Sequence, residues 1–209
     1  FTDVRMSVPA RIFSTRYFVY PEKVGTLSQI PRDLWVNYLT DEAWYATGDP
    51  IIRDALKQAV GNETNPYWIA RKIYNYVIDR LTYELAGGWS KAPDVLKRGT
   101  GSCSEYSFVF VSMCRAAGIP ARMAGSVVIR DDDASYDNVF HRWAEIYLPN
   151  YGWIPVDPSG GDSPRPSDRA DNFGFLDNRY LITTVGGGAS DLLARSEERR
   201  VGKECRSRW

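Results

Sequence analysis

The chain contains one histidine in 209 residues, and that scarcity limits its chemistry sharply. Cysteine is nearly as rare, with three in the whole sequence. A dedicated zinc centre, which draws four ligands mainly from cysteine and histidine, is hard to assemble from such a set. Charge of either sign is not in excess, since 26 basic residues face 26 acidic ones. No apolar run approaches the roughly 20 residues of a membrane-crossing helix, and no internal repeat is visible. The length suits one domain with part of a neighbour.

The final fifteen residues, 195–209 (RSEERRVGKECRSRW), have no periodic pattern and resemble an in-frame translation of a sequencing-library adaptor. Such a segment is set aside from fold reasoning. The chain opens at Phe1 inside a strand-like pattern, so the natural protein is expected to extend beyond both ends. Removing the six basic and three acidic residues of the tail leaves 20 and 23, a net charge of −3. That mildly acidic balance gives no argument for a nucleic-acid partner. Cys205 drops out as well, leaving Cys103 and Cys114. On one helix these two would lie about 16 Å apart at a rise of about 1.5 Å per residue, too far for a disulfide. Cys103 therefore reads as a free thiol.

What is present is concentrated in three places. Gly101-Ser102-Cys103-Ser104-Glu105-Tyr106 puts a thiol at the start of a helix pattern, in which apolar residues recur at Tyr106, Phe110, Met113 or Cys114, and Ala117. Gly118 stops that helix, and Ile119-Pro120 begins an extended segment. A helix N-terminus carries partial positive charge and unpaired N–H groups, which favour thiolate over thiol and can stabilise an oxyanion. His141 opens an alternating run to Leu148 that sends His141, Trp143, Glu145 and Tyr147 to one face. Pro149, Asn150 and Gly152 form a turn, and Trp153 to Asp157 returns as a second strand. With residues 141 and 157 opposed, imidazole and carboxylate would share a face, and a bulge at Gly152 could shift that register. Taken singly, a cysteine is most often a small buried hydrophobe, a histidine structural, and an Asp-Pro a strand end. Together and in this order they are the parts of a nucleophilic acyl-transfer site. Cys114, amid Val111, Met113 and Ala117, has only the packing role.

The rest of the chain supports these elements. Residues 1–20 carry strand-like stretches around Val4, Met6 and Val8 and around Tyr17 and Val19. They are either the end of an upstream β region or an added strand of the main domain. Leu27 to Thr47 reads as a linker packed on the core. Pro50 to Val60 and Pro66 to Leu81 read as helices, the second capped by Asn65. Val127 to Arg130 and Tyr180 to Thr184 are expected strands, and Ser159 to Gly174 a mobile loop next to Asp157. Asp131, Asp132, Asp133, Asp137 and Asn138 lack the spacing of a calcium loop and read as a solvated turn.

These blocks resemble the transglutaminase-like superfamily of papain-like cysteine enzymes. The resemblance is carried by Asp94 to Gly99, Gly101 to Tyr106, Ala117 to Arg122, His141 to Glu145 and Gly152 to Pro158, in the family's order across about residues 65 to 160. It implies an α+β fold in which the cysteine helix packs on an antiparallel sheet. It also implies Cys103 as nucleophile, His141 as base and Asp157 as the acid that orients the ring. An aromatic donor upstream of the cysteine often completes the family's oxyanion hole. Tyr83, read as ending a helix, is the candidate here, with Trp89 its competitor and core packing the plain alternative for both. The implied domain plan is 1–48 as upstream β region and linker, 49–194 as catalytic domain, and 195–209 as the tail. The implied activity is acyl transfer at an amide of a protein or peptide through a thioester, without cofactor or metal. Hydrolysis is the first expectation; cross-linking of glutamine to an amine, or a non-catalytic peptide-binding module, are the alternatives. Localisation is left open, since many relatives are exported or anchored through segments outside this domain.

Overall fold

The structure, a computed structural model, describes residues 9–85, 89–129 and 140–186. In chain order the elements are strand β1 (Thr15–Arg16), helices α1 (Arg32–Tyr38), α2 (Pro50–Val60) and α3 (Pro66–Arg80), strand β2 (Thr82–Tyr83), helix α4 (Ala92–Arg98), strand β3 (Thr100–Gly101) and helix α5 (Cys103–Ala116). Strands β4 (Ala121–Val128), β5 (Phe140–Leu148) and β6 (Gly152–Val156), helix α6 (Pro166–Asp171), and strands β7 (Phe175–Leu176) and β8 (Tyr180–Val185) complete it. The main sheet runs β6-β5-β4-β8 and is antiparallel throughout. Helix α5 packs against β5 and β4 and is flanked by α2, α3 and α4. This is the expected α+β arrangement of a central cysteine-bearing helix on an antiparallel sheet.

Local chemistry sets the helix starts. Asp49 accepts from the N–H of Ile51 at 2.8 Å, and Pro50 occupies the first turn, so α2 begins where the sequence reading put it. Asn65 does the same for α3 by accepting from Tyr67 and Trp68. Every residue of α5 from Cys103 to Arg115 is buried, so this helix has no solvent face. The core around it is built from Ile69, Ile73 and Val77 of α3, Phe108, Val109 and Phe110 of α5, and Ala144, Ile146 and Val156 of the sheet.

Several expectations change. Leu27 to Thr47 is not only linker, because Arg32–Tyr38 is helical. Ser159 to Gly174 contains α6 and is tied down rather than loose: Asp162 Oδ2 accepts from the Tyr106 hydroxyl at 2.7 Å, and the carbonyl of Arg169 from the Tyr74 hydroxyl at 2.9 Å. Tyr83 does not end a helix; α3 stops at Arg80 and Tyr83 lies on β2. The strand expected at Val127 starts earlier, at Ala121. Residues 15 and 16 pair with Leu176 and Phe175 in a separate two-stranded sheet, while Tyr17 and Val19 of the expected strand-like stretch lie in no strand. Val4, Met6, Val8, the Asp131 to Asn138 cluster and residues 195–209 lie outside the described residues. No helix among the described residues is long and apolar enough to cross a membrane.

One buried carboxylate organises the start of α5. Glu105, its side chain 2% exposed, accepts from Ser102 N–H at 3.0 Å, Ser90 N–H at 2.9 Å and Arg98 Nη2 at 2.8 Å. The Ser102 bond is the reach-back half of a capping box. Glu105→Ala strands two backbone donors, while Arg98 keeps its bonds to Thr100 and Ser90, and is expected to lower stability by roughly 2–4 kcal/mol. A denaturant titration checks this through a lower midpoint at unchanged slope.

Candidate active site

Cys103 is the first residue of α5, held there by the two-stranded parallel pair of β2 and β3, in which Thr82 faces Thr100 and Tyr83 faces Gly101. Thr82 N–H donates to Gly99 O and Glu84 N–H to Gly101 O, both at 2.9 Å, so the segment before the cysteine is fixed on both sides. Gly101 is required by space: a Cβ there would come within 3.1 Å of Glu105 Cβ and 3.3 Å of Val95 Cγ1. The sulfur-bearing residue is 7% exposed, at the positive end of a 14-residue helix.

His141 stands on β5 opposite Ser126 of β4. The β5–β6 hairpin pairs Leu148 with Gly152 and Ala144 with Val156, which brings Asp157 level with Trp143 rather than His141. The register therefore differs by two residues from the expected one. A two-residue difference keeps each side chain on its own face, so imidazole and carboxylate still share a side. They meet diagonally, His141 Nε2 lying 2.5 Å from Asp157 Oδ2. The other carboxylate oxygen accepts from Ser159 Oγ at 2.8 Å and Gly160 N–H at 2.9 Å. The imidazole also hydrogen-bonds Cys103, and with Nε2 committed to Asp157 the ring nitrogen left for sulfur is Nδ1. Tyr180 of β8 stacks on the imidazole with ring centroids 5.3 Å apart.

The electrostatics follow from this geometry. Burial opposes charge on His141, but the Asp157 charge and hydrogen bond, followed by those of Cys103, outweigh it and hold the ring's pKa up at about 10. Burial likewise pushes Asp157 up, and His141 with the Gly160 and Ser159 donors pulls it below the usual carboxylate range. The pair is imidazolium and carboxylate across neutral pH. Cys114 is different: fully buried, with its thiol pushed far up by desolvation.

The structure thus brings Cys103, His141 and Asp157 into one hydrogen-bonded line. Tyr83 is next to the cysteine segment through its pairing with Gly101, its N–H donates to Asp162 Oδ2 at 3.3 Å, and its ring is 6.3 Å from that of Tyr106. Trp89 instead joins an aromatic cluster, edge-on to Trp44 and Phe108. The sequence reading missed Arg142, Tyr180 and Asp162. Arg142 is a buried cation beside the single histidine, but in a run that also holds Glu145 its charge gave no signal of a place near the site. Among the described residues no cluster of three or more His, Cys, Asp or Glu could hold a metal ion.

Comparison with known proteins agrees with this architecture. The transglutaminase-like superfamily's sequence model matches residues 53–158. An uncharacterised protein of Haemophilus influenzae is 27% identical over 154 residues, covering 61% of this chain and 42% of the relative. A protein-glutamine gamma-glutamyltransferase of Pseudomonas aeruginosa is 28% identical over 174 residues, 74% of this chain and 24% of that protein. This chain spans less than half the length of the curated relatives it matches. Among solved structures, a Cytophaga hutchinsonii protein provisionally assigned as a cysteine protease superimposes with a TM-score of 0.53 at 18% identity, covering 76% of this chain and 56% of that one. The periplasmic domain of TgpA from Pseudomonas aeruginosa gives 0.50 at 22% identity, over 63% and 49%. With half of its residues matched by that superfamily's model and the same fold in solved structures, the chain belongs to the transglutaminase-like superfamily.

Proposed function

We propose that the chain is a thiol enzyme that transfers an acyl group from an amide of a protein or peptide, with Cys103 as nucleophile, His141 as acid and base, and Asp157 as the group that orients the ring. The observation that carries this is the unbroken line from Cys103 through the imidazole to an Asp157 carboxylate that is itself held by Ser159 and Gly160. Cys103 Sγ attacks the carbonyl carbon, and the developing oxyanion is stabilised by first-turn N–H groups of α5, with the Tyr83 hydroxyl as a further donor. His141 passes its proton to the leaving amine, the C–N bond breaks, and a thioester remains on Cys103. His141 then takes a proton from the incoming acceptor, and the thiolate leaves. Residues 49–194 form the catalytic domain in this reading, with 1–48 as the preceding β region and linker.

Water is the first acceptor we assign, because it needs no binding site of its own and the described residues suffice for that half-reaction. An amine acceptor is the second reading, favoured by the Pseudomonas aeruginosa relative's name as a glutamyltransferase. Mass spectrometry of a glutamine-containing peptide library, with and without an added primary amine, separates them. Cleaved or deamidated products in both arms support hydrolysis, and amine-coupled products support transfer. Unchanged peptides across a library of broad composition, with Cys103 demonstrably reduced, would count against both.

A further inference from the structure

The turn that follows Asp157 is joined to the cysteine helix through one carboxylate. Asp162 Oδ2 accepts from the Tyr106 hydroxyl at 2.7 Å and from the Tyr83 N–H at 3.3 Å. Tyr106 stands three residues after Cys103 on α5 and is fully buried, so its hydroxyl needs that acceptor. Tyr83 lies on β2, where the N–H groups on either side of it, at Thr82 and Glu84, point the other way to Gly99 and Gly101. A single side chain thus meets the helix that carries the nucleophile, the strand that braces it and the turn that carries the acid.

Within that turn the backbone closes on Asp157. Gly161 N–H donates to Asp157 O at 3.0 Å and Asp162 N–H to Ser159 O at 3.3 Å, while Ser159 Oγ and Gly160 N–H hold Asp157 Oδ1. Gly160 lies so close that a Cβ on it would come within 2.8 Å of Asp157 Oδ2, the oxygen that meets His141. Two adjacent glycines give the turn wide backbone freedom, so what fixes it must act at its ends. Strand β6 fixes one end, and Asp162 is the first residue past the glycines whose side chain grips another element. We propose that Asp162 is a positioning residue: by anchoring the turn to Tyr106 and Tyr83 it keeps the Asp157 carboxylate seated on the His141 ring. This rests on Asp157 being the partner of that ring in the proposed reaction.

His141 is the only histidine in the chain, so isotope-labelled histidine gives a single imidazole signal in the full chain prepared without a histidine tag. Its NMR chemical shift against pH reads the proton on the ring. In the parent, Asp157 and Cys103 hold that proton up to about pH 10. Asp162→Ala is expected to lower the midpoint by about one pH unit or more, as the carboxylate loses its seat. Asp162→Asn should keep the parent's midpoint, because one amide oxygen can accept from both donors. The other groups around the ring are Cys103 from α5, Tyr180 from β8 and Arg142 beside it on β5, and Tyr74 from α3 faces Asp157. All of these are unchanged in both variants. Asp157→Asn should lower the midpoint through the carboxylate itself, and adding Asp162→Ala to it should lower it no further. Where Asp162→Ala does not fold, its combination with Tyr106→Phe leaves no stranded hydroxyl and carries the same expectation. A folded alanine variant that melts earlier but keeps the parent's midpoint reduces Asp162 to packing and overturns the inference alone. An asparagine variant that shifts as far as the alanine one reduces it to bare charge and does the same. An Asp157→Asn midpoint equal to the parent's overturns the Asp157 assignment and this inference with it.

Discussion

Cys103→Ala is expected to lower turnover by at least about 10⁴-fold, because no other group in the site can form the thioester. Its melting temperature should stay close to that of the parent, since the change removes one sulfur from a helix start whose cap is made by Glu105. Cys114→Ala has the opposite profile. That thiol is fully buried in the middle of the core helix packing, and desolvation keeps it protonated. Its loss should cost roughly 1 kcal/mol of stability and leave turnover unchanged. Iodoacetamide competition in the folded protein measures the contrast directly: Cys103 is modified first. Faster labelling of Cys114 would reverse the assignment.

The second large effect is on the pH profile. His141 holds its proton up to about pH 10 because Asp157 and Cys103 together overcome the penalty of burial. The sign follows from the role of that proton. As pH rises through about 10 the ring becomes neutral, the leaving amine loses its proton donor, and turnover falls. At the acid end, activity persists well below the roughly 8.5 of a free thiol and fails only where the thiolate is protonated. Asp157→Asn removes the largest stabiliser of the imidazolium, so the alkaline limb should move down toward the 6.5 of an ordinary ring. An amide at that position can also hold the wrong tautomer, so turnover at the optimum should drop on the order of 10³-fold with the sulfur still accessible. His141→Ala should return the alkylation profile toward that of an ordinary thiol. An alkaline limb that stays near 10 in Asp157→Asn would remove Asp157 from the account and leave Cys103 and His141 standing.

The parts of this fold that were legible in the sequence are those specified by neighbours in the chain. Asp49-Pro50 and Asn65-Pro66 each place an acceptor one residue before a proline, which marks a helix start unambiguously. Cys103 and His141 were legible for a similar reason, each standing at the end of a strongly patterned element. The hairpin faces were legible from alternation, but the register was not. It depends on the three-residue turn between Leu148 and Gly152, where Asn150 and Gly152 adopt φ of 73° and 82°. Strand β2 is two residues long and pairs with a strand of two, too short for any period-2 signal. That is why Tyr83 looked like a helix end. Helix α6 lies in a segment whose proline, glycine and aspartate content reads as loop, and is held by the Ser163 hydroxyl donating to the Asp168 carboxylate, Asn172 Nδ2 donating to Asp168 O, and Tyr74 donating to Arg169 O. Arg142 was invisible as a site residue because its partner Ser104 is 38 positions away and its strand position alone says only that it is not on the histidine's side.

The central claim is that acyl transfer passes through the Cys103 sulfur. Acid-quenched wild-type protein, taken during turnover of a peptide that it consumes, can be digested and mapped by mass spectrometry. The account predicts one acyl adduct, on the peptide containing Cys103, discharged by hydroxylamine and missing from Cys103→Ala. An adduct on another residue, or turnover that continues undiminished in Cys103→Ala, would contradict it.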